Sequence, residues 1–147
     1  MKKIAFTLSL IMCILLAASC GSFKTSKGTV TDDTFKTIYS RYSSDLIMEG
    51  TRSYTVVAGD TLHHIAANYY PDGYYYPVIL LASRDVLVDP HKIQVGMVLT
   101  VPDLEANLST PSSRAAVKGV IYDCSNIERS RDWIDGANAL REIADSL

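Results

Sequence analysis

The sequence is short of most of what a catalytic or nucleic-acid-binding protein needs. Its 147 residues have room for one modest domain plus accessories, which excludes a large catalytic fold. Positive charge is not in excess, since 14 Lys and Arg stand against 16 Asp and Glu; such a chain has no electrostatic reason to seek nucleic acid or anionic lipid. Cysteine is scarce, at three residues, and no serine sits in a nucleophile-elbow motif. The acidic pair Asp32 and Asp33 stands where a helix starts, so it offers no paired-carboxylate chemistry. No apolar run reaches the roughly 20 residues that a membrane-crossing helix requires. The sequence therefore points away from an enzyme, and its function has to come from something small.

The amino terminus is built for export. Lys2 and Lys3 precede an apolar stretch, Ile4 to Leu16, broken only by Thr7 and Ser9, and the small residues Ala17, Ala18 and Ser19 lead to Cys20. That pattern predicts a secretory signal over residues 1–19. Its removal takes two lysines and no acid, leaving 12 basic against 16 acidic residues, a net −4. A cysteine straight after small residues resembles the lipobox of bacterial lipoproteins, in which the thiol receives a diacylglyceryl group. The departure is Ala17, where that pattern usually has Leu; Leu16 is displaced by one position. The resemblance implies a lipid anchor on Cys20 in a cell-envelope protein facing the periplasm. Gly21, rather than Asp, after Cys20 points to the outer membrane where there are two. Cys13 would leave with the signal, and Cys124 then reads as a small buried apolar side chain. A Cys20 to Cys124 disulfide is the other reading that export would permit.

The rest of the chain divides into four parts. Residues 20–31 are mostly Ser, Thr, Lys and Gly and read as a flexible tether. Over residues 32–52, Phe35, Ile38, Tyr39, Tyr42 and Leu46 recur at helical spacing, with Gly50 placed to end the helix. In residues 104–147, Thr110 can cap and Pro111 can open a helix with an apolar face of Val117, Val120, Ile121, Cys124 and Ile127. After a polar break at Ser130 to Asp132, a second stripe of Trp133, Ala137, Leu140, Ala144 and Leu147 predicts a partner helix folding back as a hairpin. The hairpin reads either as a cap over the core or as a docking surface for a protein partner.

The middle part, residues 53–103, carries the most specific pattern. Tyr54 to Val57 favour a strand, which breaks at Gly59, and Asp60 is placed to cap a helix with Leu62, Ile65, Ala66 and Tyr69 on one face. Pro71-Asp72-Gly73 ends that helix, Tyr76 to Ala82 form a second, and a loop at Asp89 to Lys92 leads through Ile93 to Gly96 into a closing strand ending at Val101-Pro102. These residues resemble the LysM family. Its opening signature is met by Tyr54, Thr55, Val56, Gly59, Asp60, Thr61, Leu62, Ile65 and Ala66, and its ending by Ile93, Gly96, Val98 or Leu99, Val101 and Pro102. The resemblance implies an α+β fold, a βααβ LysM module here flanked by an N-terminal helix and a C-terminal helical hairpin. It also implies non-catalytic binding of N-acetylglucosamine-containing glycans, chiefly peptidoglycan. Carried over by position, the glycan-binding residues are Gly59, Asp60, Thr61 and Leu62 on one side of a shallow groove, and Ile93, Gln94, Val95 and Gly96 on the other. Ser83 stands where the family usually has Asn, and Met97 where it usually has Gln.

Two other groups of residues invite chemistry. His63, His64 and His91, with Asp60, Asp72 and Asp89 nearby in sequence, raise a metal site; adjacent helical residues diverge by about 100°, which suits ligation poorly, so no metal and no cofactor is expected. Tyr69, Tyr70, Tyr74, Tyr75 and Tyr76 read either as packing between the two helices or as a stacking platform for sugar, with Tyr74 and Tyr75 the pair expected at the surface. The expected function is thus a peptidoglycan-binding lipoprotein. The alternative is an envelope assembly or adaptor protein that docks a partner through its hairpin and keeps the LysM module mainly as structure.

Overall fold

The alternation in Val98-Leu99-Thr100-Val101 puts Leu99 and Val101 on one face of a strand, and both are buried in a computed structural model that describes residues 30–147. The signal segment, Cys20 and nearly all of the tether lie outside the described residues. That strand, β2 (Val98–Val101), pairs antiparallel with β1 (Arg52–Thr55), in a register that sets Arg52 opposite Val101 and Thr55 opposite Val98. Between them run α2 (Leu62–Tyr69), a 3-10 turn at Gly73–Tyr75, α3 (Tyr76–Ala82) and a second 3-10 turn at Pro90–Lys92. This is a βααβ module. Before it lies α1 (Asp32–Tyr42), and after it come α4 (Leu104–Ser109), α5 (Pro111–Ser130) and α6 (Ile134–Ser146). The fold is α+β, with a module flanked by helices on both sides.

Helix α3 organises the core. All seven of its residues are buried, and Val78, Ile79, Leu80 and Leu81 have no exposed surface. A helix that is apolar all round must be covered on every side. Helix α2 and β2 cover part of it, and α5 covers another. The face of α5 that does so is Val117, Val120, Ile121, Cys124 and Ile127, all buried. Burial raises the Cys124 thiol well above its ordinary range, so it is a packed apolar group with little thiolate character. Ser83 ends α3 and bridges it to the sheet: its Oγ accepts from Thr100 N–H at 2.9 Å and lies 3.3 Å from the Thr100 carbonyl. The departure from Asn at this position therefore still ties helix to strand.

Three expectations are corrected. The first helix ends at Tyr42, eight residues before Gly50, because Ser43, Ser44 and Asp45 follow and the Asp45 amide bonds the Tyr42 carbonyl in a turn; Leu46 reaches the core from a loop. Helix α4 was not anticipated. Asp103 starts it by accepting from Ala106 N–H at 3.0 Å, and the buried Asn107 then bonds both the N–H (2.8 Å) and the carbonyl (2.9 Å) of Ile47. Trp133 does not continue the apolar stripe of α6. It is the residue before the helix and stands 60% exposed, while Ala137, Leu140 and Ala144 are fully buried.

The turn between α5 and α6 is closed by its own main chain. Asp132 has φ of 66°, and the amides of Asp132 and Trp133 bond back to the carbonyls of Arg129 (3.2 Å) and Glu128 (3.0 Å). This is the paired bonding of a Schellman-type helix end, with Asp in the left-handed position usually held by Gly. The hairpin expected over residues 104–147 therefore forms, in residues 111–146. Among the described residues no helix is long and apolar enough to cross a membrane.

Two substitutions test this packing. Leu140→Ala should cost about 2–5 kcal/mol by leaving a cavity between α6 and α5. Asn107→Ala should cost about 1–3 kcal/mol by orphaning the two Ile47 groups. Urea unfolding of each against wild type measures both; a loss under about 0.5 kcal/mol for either would contradict the packing described.

Candidate functional site

Val56 brings the two predicted loops together. Its amide donates to the Met97 carbonyl at 2.9 Å, and its carbonyl accepts from the Gly96 amide at 2.9 Å. The segment leaving β1 and the segment entering β2 therefore run side by side beyond the sheet. Gly59 and Gly96 turn them, at φ of 91° and 89°, a left-handed backbone that costs other residues about 1–2 kcal/mol. Both glycines are exposed. The structure thus places Gly59 to Leu62 and Ile93 to Gly96 on two adjoining loops.

The roles of individual residues differ from those expected. Asp60 does not cap α2. Its Oδ2 accepts from Tyr54 Oη at 2.8 Å and from the Val57 amide at 2.9 Å, closing the loop on itself. Thr61 is the cap instead, its Oγ1 accepting from His64 N–H at 3.1 Å. One residue of displacement is enough, because the capping side chain must reach the amide three residues on. Leu62 is 3% exposed and belongs to the core, so it can offer a sugar only a small floor. Val95, at 68% exposed, is the apolar side chain that stands out from the second loop, where Ile93 is half-buried and Gln94 exposed. Ala58, Gly59 and Val95 make no hydrogen bond within the described residues and are exposed, so their main-chain amides and carbonyls face solvent. A polar ligand such as an acetamido group needs donors and acceptors of that kind beside an apolar contact for its methyl.

The second loop is held from behind by charge. Asp89, buried at the start of the Pro90–Lys92 turn, takes a forked contact from Arg131, with Nη1 at 3.0 Å from Oδ1 and Nη2 at 2.7 Å from Oδ2. Burial by itself would raise the Asp89 carboxyl, but the Arg131 bonds and the His91 amide at 3.0 Å outweigh it and hold the carboxyl below the usual range. His91 Nε2 lies 3.1 Å from both carboxylate oxygens of the buried Glu128 on α5. Lys92 reaches Asp32 of α1 at 2.6 Å. Three contacts, from Asp89, His91 and Lys92, therefore anchor residues 89–92 to the flanking helices.

The histidines and tyrosines are distributed by packing. His63 lies beneath Gly73, where any Cβ would come within 2.5 Å of its ring, and meets Tyr74 edge-on at 4.7 Å between ring centres. His64 is exposed, its ring centre 6.0 Å from that of His63. Among the described residues, no group of three or more His, Cys, Asp or Glu side chains is set to hold a metal ion. Tyr70, Tyr75 and Tyr76 are buried; Tyr69 packs edge-on against Tyr54. Tyr75 was expected at the surface, but the 3-10 turn rotates it inward against Tyr70, which leaves Tyr74 as the half-buried member of the expected pair. Tyr74 lines a cleft of about 440 Å³ that begins at Thr61 and Ile93 and runs to Trp133 on the hairpin. His91, Glu128 and Trp133 carried no glycan-site signal in the sequence.

Comparison with known proteins agrees with this geometry. The LysM domain family matches residues 54–102, a third of the chain. Two proteins of Mycobacterium tuberculosis named as esterases, from strains CDC 1551 / Oshkosh and ATCC 25618 / H37Rv, are 48% identical over 56 residues. The similarity covers 38% of this chain and 12% of theirs, and it falls in the LysM region. This chain thus spans only a small part of the length of those relatives. No solved structure matches. The protein contains a LysM domain.

The charged anchor has a pH signature. Because the folded Asp89 carboxyl is held low, its pairing contributes stability above the ordinary aspartate value, about 3.9, and loses it as pH falls through the lower folded value. In Arg131→Met, burial would be opposed only by the His91 amide and ring, so the Asp89 carboxyl loses most of what holds it low. The stability gap between wild type and Arg131→Met should therefore be widest near neutrality and narrow below about pH 4. Urea titrations across that range measure it, and a gap constant with pH would contradict the pairing.

Proposed function

We propose that the protein is a non-catalytic, lipid-anchored cell-envelope protein that binds N-acetylglucosamine-containing glycans, chiefly peptidoglycan. The observation that carries the glycan half is the LysM domain at residues 54–102 with its two loops joined at Val56. In this reading solvent-facing main chain at Ala58, Gly59 and Val95 bonds the acetamido group, Gly59 and Gly96 let the sugar approach the backbone, and the Val95 side chain covers the methyl. Thr61 and Gln94 flank the ring. Cys20 carries the acyl chains, residues up to 31 span from the membrane, and the module meets the wall non-covalently, with the outer membrane favoured. The adaptor alternative would use the hairpin as its docking surface; the main apolar faces of α5 and α6 are covered by α1, α3 and each other, which leaves Tyr122, Trp133 and Ile134 as its exposed apolar side chains. The esterase name of the two relatives attaches to proteins of which this chain matches 12%, and the 45 residues from 103 to 147 form helices that complete a core.

Sedimentation with insoluble peptidoglycan tests the glycan half. Wild type should co-sediment, and Val95→Asp should lose most of that binding while keeping its unfolding midpoint, because Val95 is exposed and in no core contact. Gly59 and Gly96 are poorer choices, since any side chain there strains the loop as well. Wild type that stays in the supernatant at every ionic strength would overturn the glycan reading. The anchor is tested separately by metabolic labelling with a radioactive fatty acid: label on wild type and none on Cys20→Ser is expected, and an unlabelled wild type fractionating as a soluble protein would overturn it.

A further inference from the structure

The cleft beyond the groove is built from residues that break local rules. Trp133 occupies the position before α6, where Ser, Thr, Asp or Asn would cap the helix; it makes no capping bond and packs in no core. Gly136 sits in the first turn of the same helix, at a cost of up to about 1 kcal/mol relative to Ala, and a Cβ built there meets nothing within 4 Å. Neither residue serves the stability of α6. Both line the cleft, together with Thr61 and Ile93 from the two loops. Departures from local preference that coincide at one concave surface mark a place shaped for a ligand.

The orientation of Trp133 is set. Glu128 is 4% exposed and holds His91 Nε2 at 3.1 Å and Tyr76 Oη at 3.3 Å. The His91 ring in turn meets the indole edge-on, with centres 4.8 Å apart and planes at 72°. Asp132 in the left-handed region and the bond from the Trp133 amide to the Glu128 carbonyl fix the main chain beneath it. The indole is thus braced at an angle while most of its surface remains open. An exposed, oriented indole face offers the apolar, polarisable contact that the C–H face of a pyranose ring accepts, and Gly136 leaves the width that a ring requires. The Thr61 hydroxyl, at the mouth of the cleft, supplies a polar partner for a sugar hydroxyl.

We propose that this cleft is a second sugar subsite, contiguous with the LysM groove, in which Trp133 stacks on a neighbouring pyranose of the same glycan strand. The hairpin is then part of the ligand site as well as a cover for the core. The inference rests on the glycan reading above and extends it to substrate length: a ligand long enough to fill both sites binds more tightly than one filling the groove alone.

Trp133 is the sole tryptophan of the chain, so its fluorescence reports on this subsite directly. The purified protein is titrated with a short and a long N-acetylglucosamine oligomer, with heat and tryptophan emission followed in parallel. The long oligomer should shift or quench the emission and bind more tightly than the short one. Trp133→Ala and Gly136→Leu should each lower affinity for the long oligomer by about tenfold, or about 1.4 kcal/mol, and leave the short one unchanged. Val95→Asp should lower both. Heat of binding with unaltered emission, and equal affinity of wild type and Trp133→Ala for the long oligomer, would overturn the second subsite and leave the groove standing. Absence of heat with either oligomer would overturn both.

Discussion

The forked pair between Asp89 and Arg131, with His91 on Glu128 and Lys92 on Asp32 two and three residues further along the chain, joins the LysM module to the helices around it. Main-chain bonds at Val56 set how close the two loops lie. The contacts of Asp89, His91 and Lys92 set where the second loop stands relative to α5 and α1. Their location explains their worth. Asp89 and Glu128 are buried, so removing either partner leaves a carboxylate in a low-dielectric setting, which is far more costly than breaking a surface pair. The Arg131 guanidinium also lies 5.3 Å from the centre of the Phe35 ring, which ties the same anchor to the N-terminal helix.

Apolar packing and this anchor answer each other. A short helix as apolar as α3 could not stay soluble under a two-stranded sheet and α2 alone; α5 completes its cover, and α6 and α1 complete the cover of α5. The C-terminal helices thus cover the core of the module. Their cost is a seam between module and hairpin, and the seam opens at one end into the cleft lined by Thr61, Ile93 and Trp133. The contacts of Asp89, His91 and Lys92 tie the module side of that seam to α5 and α1.

The βααβ order, the flanking helices and most of the buried residues were legible in the sequence, because hydrophobic periodicity and the Gly59 and Gly96 turns report directly on local geometry. Thr110 and Pro111 opened α5 as their chemistry requires. What the sequence hid were choices between neighbours and contacts across long separations. Asp60 and Thr61 are both good caps, and only the closed loop to Tyr54 and Val57 decides that Thr61 is the one used. Trp133 kept helical spacing with Ala137, yet the helix starts one residue later and turns it outward. Asn107 to Ile47 and His91 to Glu128 span 60 and 37 residues, distances over which no local pattern speaks.

In the proposed binding mode one glycan strand lies along the loops at Ala58–Leu62 and Ile93–Gly96 and continues against the start of α6. Amide chemical-shift mapping of the isotopically labelled protein, titrated with a long N-acetylglucosamine oligomer, examines every part of it at once. The expected result is a contiguous set of perturbed signals that includes Gly59, Thr61, Val95 and Gly96 together with Gly136 and the Trp133 indole N–H. Perturbations that avoid both loops, or saturating ligand that moves no signal, would contradict it.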